Sequence, residues 1–273
     1  MLYTDITIKI SDKNMSNFNI PIQNNNKLEA LLNKVVIDVE LNTLWKASNI
    51  TAIDRIGMND HGPVHIKIVT NIALKILRML VKGGVTPSIV KDYKLKNEDA
   101  EIVVFLGSIL HDIGHSIHRD DHEMMSVYIS MPIIDRLLHD LYSEEQKTIV
   151  KYETLHSIYS HRSDITPLTV EAGVVKIADA LDMAKGRARI PFHAGKVNIH
   201  SVSAMSIDSI DILEGSKKPI LLKINMKNSA GIFQVDDLLK NKINTSGIKE
   251  YFEVVAGIVG VEATIIDKDF EIG

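Results

Sequence analysis

The sequence predicts a mostly helical bundle followed by a small α+β unit of ββαββ order. Three observations carry this reading. From residue 27 to about residue 187, apolar side chains recur at spacings of three and four. Pro, Gly, Ser and Thr clusters cut that stretch into helix-sized pieces. After Pro191 the pattern changes to short runs of Ile, Leu and Val separated by turn residues. The domains expected are an N-terminal strand or arm with a linker (1–26), the helical domain (27–190) and the α+β domain (191–273).

Residues 2–10 alternate and read as a strand or ordered arm. Residues 16–26 are polar and Asn-rich and read as a linker. Leu28, Leu31, Leu32, Val35, Val36 and Val39 start the first helix, and residues 41–50 a second. Gly62-Pro63 opens a third over 64–81, because proline fits the first turn of a helix, where its missing N–H is not needed. Gly83-Gly84 ends it, and a loop with Pro87 follows. Further helices are expected over 98–110, 122–141, 144–160 and 170–183. Ser143 caps the 144–160 helix, with acidic residues in its first turn. In the α+β region, strands are expected over 207–213, 219–226, 251–259 and 263–272, with a helix over 233–242.

The chain has 273 residues, 45% of them apolar and 24% charged, which is ordinary for a globular protein. Its net charge of −4 gives no support to non-specific nucleic-acid binding. With no cysteine, disulfides, thiolate metal sites and cysteine nucleophiles are excluded. The N-terminus lacks the pattern of a secretory signal, and no run approaches the roughly 18 apolar residues of a membrane span. A cytoplasmic protein is expected.

The stretch around which the rest is organised is Val103 to His115, an apolar run ending in His111-Asp112. Imidazole and carboxylate at the end of a buried helix suit a divalent metal. His65, His122, His161 and Asp179 each stand on another helix against an apolar background. Helix bundles build metal sites from such facing side chains. His61 lies one turn before His65 and competes with it; the apolar spacing that follows favours His65 as ligand. His156 is five residues from His161 and cannot share its helix face. His115, His118 and Arg119 form a short polar stretch after the His-Asp pair, and Lys185, Arg187 and Arg189 follow Asp179. Both sets suit phosphate contacts, and both are equally readable as solvated polar segments. No GxGxxG or P-loop pattern is present.

His65, then His111-Asp112, then Asp179, in that order, resembles the HD superfamily of metal-dependent phosphohydrolases. His122 with Ser126 four residues on, and His161 ahead of Asp179, resemble its two-metal members, among them small two-iron dinucleoside tetraphosphate hydrolases. The resemblance covers about residues 60 to 185. The added C-terminal unit resembles an archaeal-type group of HD proteins and implies no activity by itself. The resemblance implies that His65, His111, Asp112 and Asp179 hold one metal. It implies that His122 and His161 help hold a second, with Asp112 bridging. His115 stands where some members carry Lys. The implied cofactor is one or two divalent ions per chain, with Fe, Mn, Zn, Ni, Co and Mg not distinguished.

The expected function is hydrolysis of a phosphate ester or anhydride of a nucleotide or other small phosphorylated metabolite by a metal-activated water. Asp112, His115 and Asp179 are the expected catalytic residues. His61, His118, Arg119, Lys185, Arg187 and Arg189 are expected to bind substrate. The rivals are a non-catalytic nucleotide-binding or regulatory protein and a nuclease; the acidic charge counts against the latter. The expected partner is a small phosphorylated molecule, with no membrane, nucleic acid disfavoured, and a homo-oligomer compatible with the sequence.

Overall fold

The computed structural model describes residues 18–183, 199–258 and 270–271. The strand expected over 2–10, most of the strand expected over 263–272, and Lys185, Arg187 and Arg189 lie outside the described residues.

Eight helices build the main body: α1 (Asn26–Ile37), α2 (Val39–Asn49), α3 (Pro63–Lys82), α4 (Ser88–Tyr93), α5 (Asn97–Leu110), α6 (His122–Leu138), α7 (Glu144–Ser160) and α8 (Val170–Leu181). Side-chain caps start several of them. The carboxamide oxygen of Asn25 accepts from Leu28 N, Asp38 accepts from Leu41 N, and Ser143 and Thr169 cap α7 and α8. A π-helical segment, Ile50–Arg55, extends α2.

α5 is the axis. Ala100, Ile102 through Phe105 and Leu106 through Leu110 are all buried, and the helix packs against α1, α3, α7 and α8. A Cβ on Gly107 would stand 3.1 Å from both Ser157 and Val175, so α7 and α8 approach α5 closely at this residue. At the C-terminal end of α5 the chain's one Trp acts as a clamp. Trp45 Nε1 donates to the Ile109 carbonyl at 2.8 Å, one of the acceptors a helix end leaves unpaired.

Four expectations change. Residues 18–25 are not a free linker: Phe18 and Ile20 are buried, and Phe18 stacks on Trp45 with ring centroids 5.7 Å apart. Two apolar side chains in a polar stretch were enough to pin it to the core. The loop after Pro87 forms the short helix α4, whose first N–H groups are held by the distant carboxylate of Glu171. The helix over 122–141 stops at Leu138, and that over 170–183 stops at Leu181.

The described part of the C-terminal region starts with α9 (Ile199–Ser206), which the sequence did not suggest. β1 (Ile207–Glu214) and β2 (Ile220–Met226) form an antiparallel pair. A π-helical turn, Gln234–Leu239, runs into α10 (Lys240–Asn244) and crosses back to β3 (Phe252–Ile258), which pairs with β2 in parallel. Two residues, Phe270–Glu271, add β4 antiparallel to β3. Ile220, Leu222, Ile224 and Met226 alternate inward on β2, as do Phe252, Val254 and Ala256 on β3. This unit rests on the helical body at several close approaches. A Cβ on Gly83 would meet Pro219 at 2.8 Å, and one on Gly173 would meet the Ser246 carbonyl at 2.6 Å. Among the described residues no helix is long and apolar enough to cross a membrane.

Candidate metal centre

The ends of five helices converge on Asp112. His111 is the C-cap of α5, and Asp112 begins the turn that leads into the 3₁₀ segment Ile113–Ser116. Gly114 follows, and its importance is close packing rather than unusual φ. A Cβ there would lie 2.0 Å from the His122 carbonyl, so only glycine lets this turn lie against the start of α6. Gly114 N also donates to Ser126 Oγ at 2.8 Å. The α5 turn and His122 are thereby held together. Ser48 on α2 donates to the Asp112 carbonyl from the other side.

The imidazoles are held by their Nδ1 atoms. His65 Nδ1–H donates to Asp182 at 2.6 Å, His111 Nδ1–H to the Ser108 carbonyl at 2.8 Å, and His161 Nδ1–H to the Ile158 carbonyl at 2.6 Å. His122 Nδ1 faces the Arg119 carbonyl at 3.0 Å and the Glu123 carboxylate at 3.2 Å. The Arg119 guanidinium also lies against this ring, its Nη1 2.8 Å from Nδ1. Each neutral ring therefore presents its Nε2 lone pair inward.

These lone pairs meet in couples. His65 Nε2 and His111 Nε2 are 3.2 Å apart, each 3.3 Å from Asp112 Oδ2. His122 Nε2 and His161 Nε2 are 3.4 Å apart, lying 3.4 and 3.8 Å from Asp112 Oδ1. Two lone pairs and a carboxylate oxygen at this spacing repel unless a proton or a metal cation lies among them. Nitrogens about 2.05 Å from a tetrahedral metal stand about 3.3 Å apart, so the spacing fits a metal. Asp112 Oδ2 is buried and has no hydrogen-bond partner among the described residues. Asp179 Oδ1 lies 3.5 Å from His65 Nε2 and 3.8 Å from His111 Nε2. The donor set thus fits divalent metal, as two clusters sharing Asp112. A third group, His61, Asp112 and His115, also has ligand spacing.

The electrostatics agree. Burial works against the charged form of Asp112, but the adjacent His111 and His122 hold its carboxyl well below the usual range. Burial lowers His111, yet Asp112 and Asp179 raise it to about 9. Without metal, this pair therefore carries a proton that an incoming metal must displace. Burial pushes His115 down to about 3, so that ring is neutral. Both its nitrogens are buried with no protein partner among the described residues, and Nε2 lies 3.7 Å from Asp112 Oδ1. Burial, with His111 and His122 nearby, also holds His161 well below its ordinary value.

A cavity of about 580 Å³ opens over this cluster. Its walls include His61, Asp112, Arg119, His122, His161 and Asp179, all named from the sequence. His65, His111 and His115 lie beneath. His118 is not brought to the cavity: its side chain is 67% exposed and accepts from Asp120 N. His156 is structural, its Nε2 accepting from Leu168 N at 3.0 Å.

Four residues at the site escaped sequence reasoning. Asp182, which fixes His65, carried a signal in its position three residues after Asp179. Glu123 sits beside His122 in sequence. Arg162 and Lys242 line the cavity, and Lys242 comes from α10 with no local signal at all.

Fold and site define a helical-bundle protein whose helix ends converge on a histidine–aspartate cluster able to hold a divalent metal. The HD domain matches residues 64–184, beginning one residue before His65. An uncharacterized protein of Methanocaldococcus jannaschii, MJ1020, is 46% identical over 228 residues, covering 84% of this chain and 88% of that protein. Ribonuclease Y of Thermoanaerobacter pseudethanolicus is 34% identical over 88 residues, which are 32% of this chain and 15% of that protein. The chain belongs to the HD domain family, whose typical members are metal-dependent phosphohydrolases.

Proposed function

We propose that this chain is a phosphohydrolase acting on a phosphate ester or anhydride of a nucleotide or other small phosphorylated metabolite. The observation that supports this reading is the pairing of Nε2 lone pairs on the two sides of Asp112. His65 and His111, with Asp112 Oδ2 and Asp179 Oδ1, would hold one metal. His122 and His161, with Asp112 Oδ1, would hold a second. When bound, a metal pair supplies a water activated at neutral pH and neutralises phosphoryl oxygens.

The chain's own residues do the rest. Asp112 and Asp179 orient the attacking water, and Asp179, at the cavity edge, takes its proton. His115, neutral and buried beside Asp112, acts on the metal site through that carboxylate and does not line the cavity. Arg119 gives charged donors to phosphate oxygens, and His61 lines the same wall. Lys185, Arg187 and Arg189 are assigned to phosphate by their place in the sequence after Asp179.

Anaerobic purification with elemental analysis, followed by a panel of nucleotides and phosphate esters, tests this. Near two metals per chain with phosphate release is the expected result. No bound metal, and no hydrolysis after reconstitution, would overturn it. Near one metal with activity would remove His122 and His161 from the ligand set. The similarity to a ribonuclease favours one second reading, a nuclease. A nuclease groove predicts RNA binding that falls steeply with salt, and a flat response removes it.

A further inference from the structure

Among the described residues, the C-terminal region sends one charged side chain, Lys242, to the metal centre. Lys242 Nζ donates to the His161 carbonyl at 2.6 Å and to Asp179 Oδ2 at 3.3 Å. We propose that Lys242 binds a phosphate oxygen of the substrate, and that the C-terminal unit thereby completes the active site. The proposal rests on the phosphohydrolase reading and deepens it.

Asp179 is divided between two neighbours. Its Oδ1 faces His65 and His111, and its Oδ2 faces the ammonium. A phosphate group placed against metal at Asp179 is therefore also within reach of Lys242. An ammonium carries three donors, and two are used among the described residues. Lys242 lines the cavity with its side chain 20% exposed, so the third donor has access to whatever enters.

Lys176 shows what a purely structural lysine looks like in the same neighbourhood. It is fully buried, and its Nζ donates to the Ser163 and Ile165 carbonyls. Lys176 does not line the cavity, whereas Lys242 does. Lys242 also does not come alone. Gln234, Leu238 and Asn241 from the same crossover segment form part of the cavity wall. This wall is held in place by the close approach of Gly173 on α8 to Ser246.

The test is titration of the full chain, loaded with the metal it carries as purified, with orthophosphate by calorimetry. Wild type, Lys242→Met and Lys242→Arg are compared, with metal content measured on each. Lys242→Met is expected to keep its metal and weaken orthophosphate binding about tenfold or more, the effect of one lost charge-assisted hydrogen bond. Lys242→Arg is expected to recover most of it. Equal phosphate affinity in wild type and Lys242→Met would overturn the proposal. So would metal loss that accounts for the weakened binding, since Lys242 would then only position Asp179. Should Lys242→Met fail to fold, the wild-type chain still decides. Orthophosphate should protect Lys242 from reductive methylation, and no protection overturns the proposal. Lys242-dependent phosphate binding without hydrolysis of any ester would sink the phosphohydrolase reading and leave only the phosphate contact of Lys242 standing.

Discussion

Asp99 and Asp112 are carboxylates at opposite ends of the same helix, and both are almost wholly buried. Asp99 lies in the first turn of α5, where the helix dipole favours an anion. It accepts from Lys27 at 2.6 Å, Tyr142 at 2.8 Å and Lys96 N at 2.9 Å. These partners outweigh burial and hold its carboxyl below the usual range. Asp112 lies just past the other end of α5, where the dipole disfavours an anion. Its Oδ2 has no hydrogen-bond partner among the described residues. What the carboxylate has instead are the inward-facing Nε2 atoms of four imidazoles, 3.3 to 3.8 Å from its oxygens. A buried anion at the unfavourable helix end, ringed by imidazole nitrogens that share a displaceable proton, is an arrangement that suits a cation. One end of α5 is finished by protein; the other is left for a ligand.

The sharpest way to break this contrast is to neutralise Asp112. Asp112→Asn should reduce metal affinity by well over the roughly 100-fold upper range for outer partners, with a normal circular-dichroism spectrum. Retained metal in that variant would refute the assignment. Asp182→Ala should act in the same direction but less, because it removes only the acceptor that orients His65. A loss of about 10–100-fold in metal affinity is expected, read by competition with a chelator.

Glu171 carries the contrast to a carboxylate completed by protein. It accepts from Ser88 N and Ile89 N at 3.1 and 3.0 Å. Glu171→Ala should cost about 2–4 kcal/mol by leaving buried N–H groups unpaired. The melting temperature should fall, with metal stoichiometry unchanged; metal loss in the folded state would blur the distinction between the two kinds of carboxylate. The smallest effect is expected for His118→Ala. Its ring faces solvent away from the cavity, so metal content should be unchanged and any measured hydrolysis altered less than about twofold, as for most exposed substitutions. A large kinetic change would place a substrate contact outside the cavity described.

Much of this was legible in the sequence. The helical spacing of Leu28 to Val39 and of Ile68 to Leu80 predicted α1 and α3, and short apolar runs between turn residues predicted β2 and β3. His65, His111, Asp112, His122, His161 and Asp179 stood out because each is a polar group in an apolar helical context. What stayed hidden depends on contacts between distant segments. Phe18 and Ile20 look like part of a polar stretch until Trp45 is there to receive Phe18. Gly114 reads as a turn residue until α6 is seen against it. Residues 88–93 read as a loop because the group that holds their N–H donors is Glu171, far along the chain.

The sequence by itself determined the ligand types and the helices that carry them, because hydrophobic period and the cost of burying polar groups are local properties. Only the tertiary structure decided which nitrogen of each imidazole faces inward, that Asp112 stands between two pairs of them, and that Lys242 on α10 reaches Asp179 on α8. Those facts follow from how helix ends and a crossover segment pack together, and no spacing along the chain encodes them.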